Sequence, residues 1–252
     1  ARELRHRLAI SDNDLFSLAN ERVMQFGDLL RDAGVGVVIL HASEKPKQST
    51  ILKLLAKRQT IAAQVHDRIR FRVIVNRRGD VLPTLLLMTR HLFPFNYILP
   101  NESRNDLLSF AELLEAMDHL HPGLDTVKEA INREKSRPKI LYRNEFSHPD
   151  FLMINFVVDL PMRSDRFMDR GSQEVFETHG KTVFMLVEFQ IYDLATFQRN
   201  ERGPSSHAHY KARQRRAILK RLAGEQAVAG WRLPEQPGPS SADAASDESS
   251  RN

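Results

Sequence analysis

The chain has 252 residues, 41% of them apolar and 27% charged, with no cysteine and a formal net charge of +5. That length buries a sizeable core in one large domain or two small ones; the missing cysteine excludes disulfides and thiolate metal sites and fits a reducing, cytoplasmic setting. The charge is uneven: residues 234–252 hold four acids (Glu235, Asp243, Asp247, Glu248) and one base (Arg251), a net −3, so the remainder carries +8 and favours polyanions such as nucleotides or RNA.

The N-terminal residues are charged from Arg2 onward, which is not a secretory pattern, and because the chain starts at Ala1 upstream residues are expected to be missing. The apolar runs at 34–40 and 85–88 are far short of a membrane span. Ser11-Asp12-Asn13-Asp14 is a helix-start signal. Leu15, Leu18, Val23, Phe26, Leu29 and Leu30 follow at helical spacing, Gly34 closes the helix, and residues 35–40 read as a short buried strand.

Residues 44–58 place Lys45, Lys47, Lys53, Lys57 and Arg58 around a Ser49-Thr50 helix start, with Ile51, Leu54 and Leu55 as the apolar face. A helix N-terminus among lysines suits phosphate, and a solvated amphipathic helix explains the pattern equally well. From Asp67, Ile69, Phe71, Val73 and Val75 alternate with Arg68, Arg70 and Arg72, which marks a half-buried strand. Three arginines on one face repel one another unless an anion or acids lie opposite.

Residues 77–80 form a turn, and 81–93 read as an apolar helix with Pro83 in its first turn. Residues 101–106 are expected to cap a further helix over 107–119. Asp118, His119 and His121 sit at its end before Pro122-Gly123, and read as a C-terminal cap rather than a metal site. An edge strand is expected at 139–142 and a strong strand at 151–161, with Phe151, Met153, Asn155, Val157 and Asp159 on one face. Residues 162–181 read as a long hairpin loop. A basic helix at 212–222 carries Arg213, Arg215, Arg216, Lys220 and Arg221, as a solvated face or as an RNA or tRNA contact. Residues 225–252 form a tail dominated by Pro, Ser, Ala and acids, expected to be disordered.

The most informative stretch is 182–211. An apolar run at 182–187 accepts Glu188 and Gln190, which strand spacing puts on one face. A buried carboxylate and amide there need partners. Glu201, Gly203, His207, His209, Tyr210 and Lys211 follow within a short segment.

Glu188, Gln190, Ile191, Glu201, Gly203, His207, Tyr210 and Lys211 together resemble the end of the synthetase domain of RelA/SpoT-type (p)ppGpp synthetases, in the form of a divergent stand-alone small alarmone synthetase. That family's pattern is a Glu-x-Gln-Ile-Arg-Thr strand, a Glu-x-Gly helix and His-x-x-Tyr-Lys; here Tyr192-Asp193 replaces the Arg-Thr pair. Lys47, Thr50, Ile51 and Lys53 resemble its Lys-x-x-x-Ser-Ile-x-x-Lys segment, which contacts ATP phosphates, with imperfect spacing. Asp67 and Arg72 match its Asp-x-x-Gly-Ile-Arg motif, whose Asp binds magnesium; Asp67 must then sit at a bend before the strand. Phe151 falls where the family has a Tyr that stacks on the acceptor base, and Asn155 where it has a His.

The resemblance implies an α+β fold, a nucleotidyltransferase-like mixed sheet flanked by helices, covering about 44–211. The expected organisation is an N-terminal helical segment at 1–43, the synthetase domain at 44–224 and the tail at 225–252. It implies transfer of pyrophosphate from ATP to the 3′-hydroxyl of GDP or GTP. Asp67 and Glu188 would hold Mg²⁺ and Glu188 would also act as base. Lys47, Lys53 and Arg72 would neutralise the triphosphate, His207, Tyr210 and Lys211 would bind phosphates, and Gln190 and Phe151 would line the substrate site. The alternatives are another acceptor, such as an adenine nucleotide or a tRNA end, and a degenerate domain that binds nucleotide or RNA without catalysis.

Overall fold

The computed structural model describes residues 2–44, 51, 55, 69–109, 146–171 and 173–229. Lys47, Lys53 and Asp67 lie outside this set, as do residues 110–119, the Asp118–His121 cluster, the 139–142 strand and residues 230–252.

Two helices open the chain, α1 (Arg2–Arg7) and α2 (Asp12–Asp32). Ser11 starts α2 with a reciprocal cap: its hydroxyl accepts from the Asp14 amide at 3.1 Å, and the Asp14 carboxylate accepts from the Ser11 amide at 2.9 Å. Leu15, Ala19, Val23, Phe26 and Leu30, three or four residues apart, form the buried stripe of α2. Gly34 ends this unit at φ +80°, a left-handed conformation that favours glycine.

Five strands follow: β1 (Val37–Glu44), β2 (Ile69–Val75), β3 (Ile98–Asn105), β4 (Ile154–Arg163) and β5 (Thr182–Asp193). Helix α3 (Val81–Leu87) lies between β2 and β3, and α4 (Gln173–His179) between β4 and β5. Two more, α5 (Leu194–Asn200) and α6 (His207–Ala223), follow β5. The strands form one mixed sheet in the order β1-β2-β5-β4-β3. Among the described residues only the β2–β5 pair is parallel; the other three pairs are antiparallel. The architecture is α+β, a mixed sheet flanked by helices, as expected. Among the described residues no helix is long and apolar enough to cross a membrane.

The two faces of the sheet differ in chemistry. Ile69, Phe71, Val73 and Val75 of β2, Val187, Phe189 and Ile191 of β5, and Ile154, Phe156 and Val158 of β4 share one buried face with the apolar stripes of α1 and α2. An aromatic ladder crosses it: Phe71 stacks on Phe189 at 5.7 Å, Phe189 on Phe156 at 5.7 Å, and Phe93 covers Phe189 at 5.6 Å. A slip of one residue would turn this ladder outward, so burying it sets the register of the three central strands. The opposite face inherits that register and pairs Arg70 with Glu188, Arg72 with Gln190 and Asn155 with Gln190.

Several local expectations change. The strand expected to be buried at 35–40 runs over Val37–Glu44 and, among the described residues, lies at the end of the sheet, with Val38 46% and Ile39 40% exposed. Residues 101–105 complete β3, whose pairing with β4 shifts register between Ile98 and Ser103, with Asn101 at φ +63°; Asn105 Oδ1 then accepts from the Leu107 and Leu108 amides at 3.2 and 2.9 Å, and residues 110–119 of the expected helix lie outside the described residues. The strand placed at 151–161 spans Ile154–Arg163, so Phe151 precedes it. The 162–181 excursion contains a 3₁₀ turn (Asp165–Arg170) and α4 rather than an open loop. The basic helix begins at His207, not at 212. The 81–93 helix is α to Leu87 and then a π turn (Met88–Leu92).

Candidate active site on the polar face of the sheet

Glu188 is 5% exposed and lies in the middle of the sheet, on the face away from the aromatic ladder. Burying a carboxylate there costs several kcal/mol unless it is paired, and here four nitrogens surround it. Arg70, alongside on β2, donates from Nε and Nη2 to Oε2, each at 2.9 Å. Gln190 donates from Nε2 to Oε1 at 3.0 Å, and Asn155 from Nδ2 at 3.4 Å. Glu188 is therefore the acid that relieves the crowded arginines of β2, so no polyphosphate is needed to explain Arg70.

Gln190 is also 5% exposed, and its own Oε1 accepts from the Tyr192 hydroxyl at 3.2 Å. Tyr192 is 2% exposed, and burial pushes its phenol well above its usual value. Arg72 lies opposite Gln190 with its guanidinium over the Phe197 ring at 5.4 Å. Its Nε is buried with no hydrogen-bond partner among the described residues, a donor left over for a ligand.

The next turn of chain brings the remaining motif to this face. Asp193 caps α5, its carboxylate accepting from the Thr196 amide at 2.9 Å and hydroxyl at 2.7 Å. That cap seats Phe197 edge-on against Tyr192 at 5.9 Å. Tyr192 and Asp193, where the Arg-Thr pair was expected, thus have two separate structural tasks. Gly203 bends the chain at φ +60° and α6 starts at His207.

His207 is held below its ordinary value first by desolvation, then by the charges of Lys211, Arg70 and Arg72, with Glu201 opposing. These charges place His207 in the field of Arg70, which pairs with Glu188, and of Arg72, which lies opposite Gln190. Tyr210 stacks near His207 at 6.3 Å, meets Phe146 edge-on at 6.5 Å, and accepts from Gln214 Nε2 at 2.8 Å. Lys211 Nζ lies 3.5 Å from Gln214 Oε1.

Phe151 lies ahead of β4 and is half-buried. Three polar side chains fix its segment. Arg104 donates to the Phe151 carbonyl at 2.7 Å, Asp106 accepts from the Met153 amide at 3.2 Å, and Asn200 bonds both backbone groups of Leu152 at 2.7 and 3.2 Å. Of the residues expected in the site, Arg72, Glu188 and Gln190 come together on one face and His207 couples to it electrostatically. Lys47, Lys53 and Asp67 lie outside the described residues.

Arg70, Tyr192 and Phe197 were missed as site residues. The parity of β2 and β5 carries the signal for Arg70 and Tyr192, because residues two apart share a face. Nothing local points to Phe197. Arg213, counted with the basic face of the last helix, turns inward instead and donates to the carbonyls of Phe146 at 2.7 Å and Pro204 at 2.9 Å.

No group of three or more His, Cys, Asp or Glu that suits a metal occurs among the described residues. The donor set is nevertheless compatible with Mg²⁺. That ion needs only one or two carboxylates when phosphates complete its shell, and Glu188 Oε1 meets only neutral amides.

No family model matches the chain, and no curated protein does. Solved structures do. The small alarmone synthetase 1 from Bacillus subtilis matches at 14% identity over 83% of this chain and 87% of that one, with a TM-score of 0.40. The small alarmone synthetase 2 from the same organism matches at 10% identity over 86% and 96%, with a TM-score of 0.39. A GTP pyrophosphokinase family protein from Streptococcus pneumoniae matches at 12% identity over 84% and 95%, with a TM-score of 0.36. The chain is similar to small alarmone synthetases and GTP pyrophosphokinase family proteins at low identity.

Proposed function

We propose that the chain is a Mg²⁺-dependent pyrophosphokinase that moves the β,γ-diphosphate of ATP onto the ribose 3′-hydroxyl of GDP or GTP. The observation that carries this reading is Glu188: a carboxylate buried at the centre of the sheet, oriented from four nitrogens, on the face that also bears Arg72. In this reaction the 3′-oxygen attacks the β-phosphorus, the bond from that phosphorus to the α,β-bridging oxygen breaks, and AMP leaves. Glu188 accepts the 3′-hydroxyl proton, so the nucleophile forms where the acceptor ribose is held.

Magnesium, when bound, would supply charge neutralisation on the phosphate oxygens; Glu188 would be one ligand for it and, on the sequence resemblance, Asp67 the second. Arg72, with its unpartnered Nε, binds phosphate, and Lys47 and Lys53 are assigned the same task by the motif. His207, Tyr210 and Lys211 present the acceptor or donor phosphates, and Phe151 stacks on the acceptor base.

The ion pair with Arg70 favours a second reading, in which Glu188 only holds β2 to β5 and the domain binds nucleotide without turning it over. Purified protein with Mg²⁺, γ-labelled ATP and, separately, GDP, GTP, ADP, AMP and bulk tRNA distinguishes them. Label in a guanine nucleotide that vanishes in Glu188→Gln supports the synthetase. Label in an adenine nucleotide or tRNA keeps the chemistry and changes the acceptor. Binding of ATP with no labelled acceptor and no AMP supports the second reading.

A further inference from the structure

Resting on the pyrophosphokinase reading, we infer that Tyr192 is a positioning residue: its hydroxyl sets the orientation of the Gln190 amide, which in turn holds the Glu188 carboxylate toward the acceptor.

The chain of bonds is short and dry. Tyr192 donates to Gln190 Oε1 at 3.2 Å, and Gln190 Nε2 donates to Glu188 Oε1 at 3.0 Å. The three residues are 2%, 5% and 5% exposed, so water does not replace either bond. A side-chain amide beside a carboxylate has one productive orientation, with the NH₂ toward the anion. The amide oxygen then points away and needs a donor, which a neutral phenol provides. Burial raises the phenol's pKa, so it stays protonated and remains a donor.

Without the hydroxyl, the buried amide oxygen loses its partner, and the Glu188 carboxylate alone is left to hold the amide, which becomes less firmly oriented. The ring is fixed from the side by Phe197 at 5.9 Å, itself seated by the Asp193 cap. The substitution of Tyr192-Asp193 for Arg-Thr is therefore a change of device: one residue closes the relay to the carboxylate and the other places the ring that braces it.

The test uses the full chain with Tyr192→Phe, Gln190→Leu, the double variant and Glu188→Gln. Label transfer gives kcat and KM, and the Gln190 side-chain amide is followed by ¹⁵N NMR, assigned by its loss in Gln190→Leu. Tyr192→Phe should lower kcat about tenfold, in line with one lost buried hydrogen bond, with KM for both nucleotides within about twofold. In the Gln190→Leu background it should cost nothing further, whereas in the otherwise native chain it should speed proton exchange at the Gln190 amide. An unchanged kcat, the full loss repeated without Gln190, or an amide that does not respond would each overturn the relay. A wild-type chain that transfers no label overturns the function reading and the catalytic meaning of the relay together. Loss of activity in Glu188→Gln with full activity in Tyr192→Phe overturns the relay alone.

Discussion

Arg70 and Glu188 stand side by side on the two parallel strands at the middle of the sheet, with two guanidinium nitrogens each 2.9 Å from one carboxylate oxygen. This contact fixes a charged pair where one side chain is 27% and the other 7% exposed. Its strength depends on both partners, because a lone charge at that depth is costly.

Arg70→Met should therefore destabilise the fold by about 3 kcal/mol, the range for removing one partner of a buried pair. Urea unfolding checks this. Adding Glu188→Gln to Arg70→Met should recover part of the loss, since it removes the orphaned charge. Equal stability of the single and double variants would mean that the carboxylate finds another cation.

Asp193→Ala should cost about 1–2 kcal/mol, as expected for loss of an N-cap, and Asp193→Asn less, because an amide oxygen still accepts from the Thr196 amide. The shift in thermal midpoint measures both. Disorder of α5 would release Phe197, so the cation–π contact to Arg72 should weaken in the alanine variant.

Arg213→Ala removes two bonds to backbone carbonyls that tie α6 to Phe146 and Pro204. A loss of about 2 kcal/mol is expected for these charge-assisted bonds, against less than about 0.5 kcal/mol for the exposed neighbour Arg216→Ala. Chemical denaturation of the two variants gives the comparison. If α6 also contacts RNA, Arg216→Ala should reduce the salt dependence of binding, while Arg213→Ala should act through stability.

His207 has a folded-state value below its ordinary 6.5. The unfolded chain then binds more protons between the two values, so this group's contribution to stability rises with pH across that window and is lost as pH falls through it. NMR titration of the ring protons, with His207→Gln to assign them, reads the midpoint directly. Desolvation and the charges of Lys211, Arg70 and Arg72 hold it down. A bound polyphosphate would offset those charges, so saturating ATP should raise the midpoint. No movement on ATP binding would place the phosphates elsewhere.

Much of the fold was legible along the chain because its signals are local. The Ser11–Asp14 cap, the stripe of α2 and the alternation in β2 need only neighbours within a few residues. Glu188 and Gln190 stood out for a similar reason, since strand parity put both polar groups on one face of an apolar strand. The sequence also determined the chemistry on offer: the carboxylates of Asp67 and Glu188, the Gln190 amide, Arg72, His207, Tyr210 and the lysines Lys47, Lys53 and Lys211, with no thiol.

The tertiary structure decided which of these groups meet. Arg70 lies 118 positions before Glu188 in sequence, and they pair only because Phe71, Phe189 and Phe156 bury one register of β2, β5 and β4 on the other face. Residues 101–105 became a strand only because β4 offered them partners. Spacing along a chain reports the period of a side-chain face; strand pairing and burial, which act between distant segments, select the neighbour that completes it.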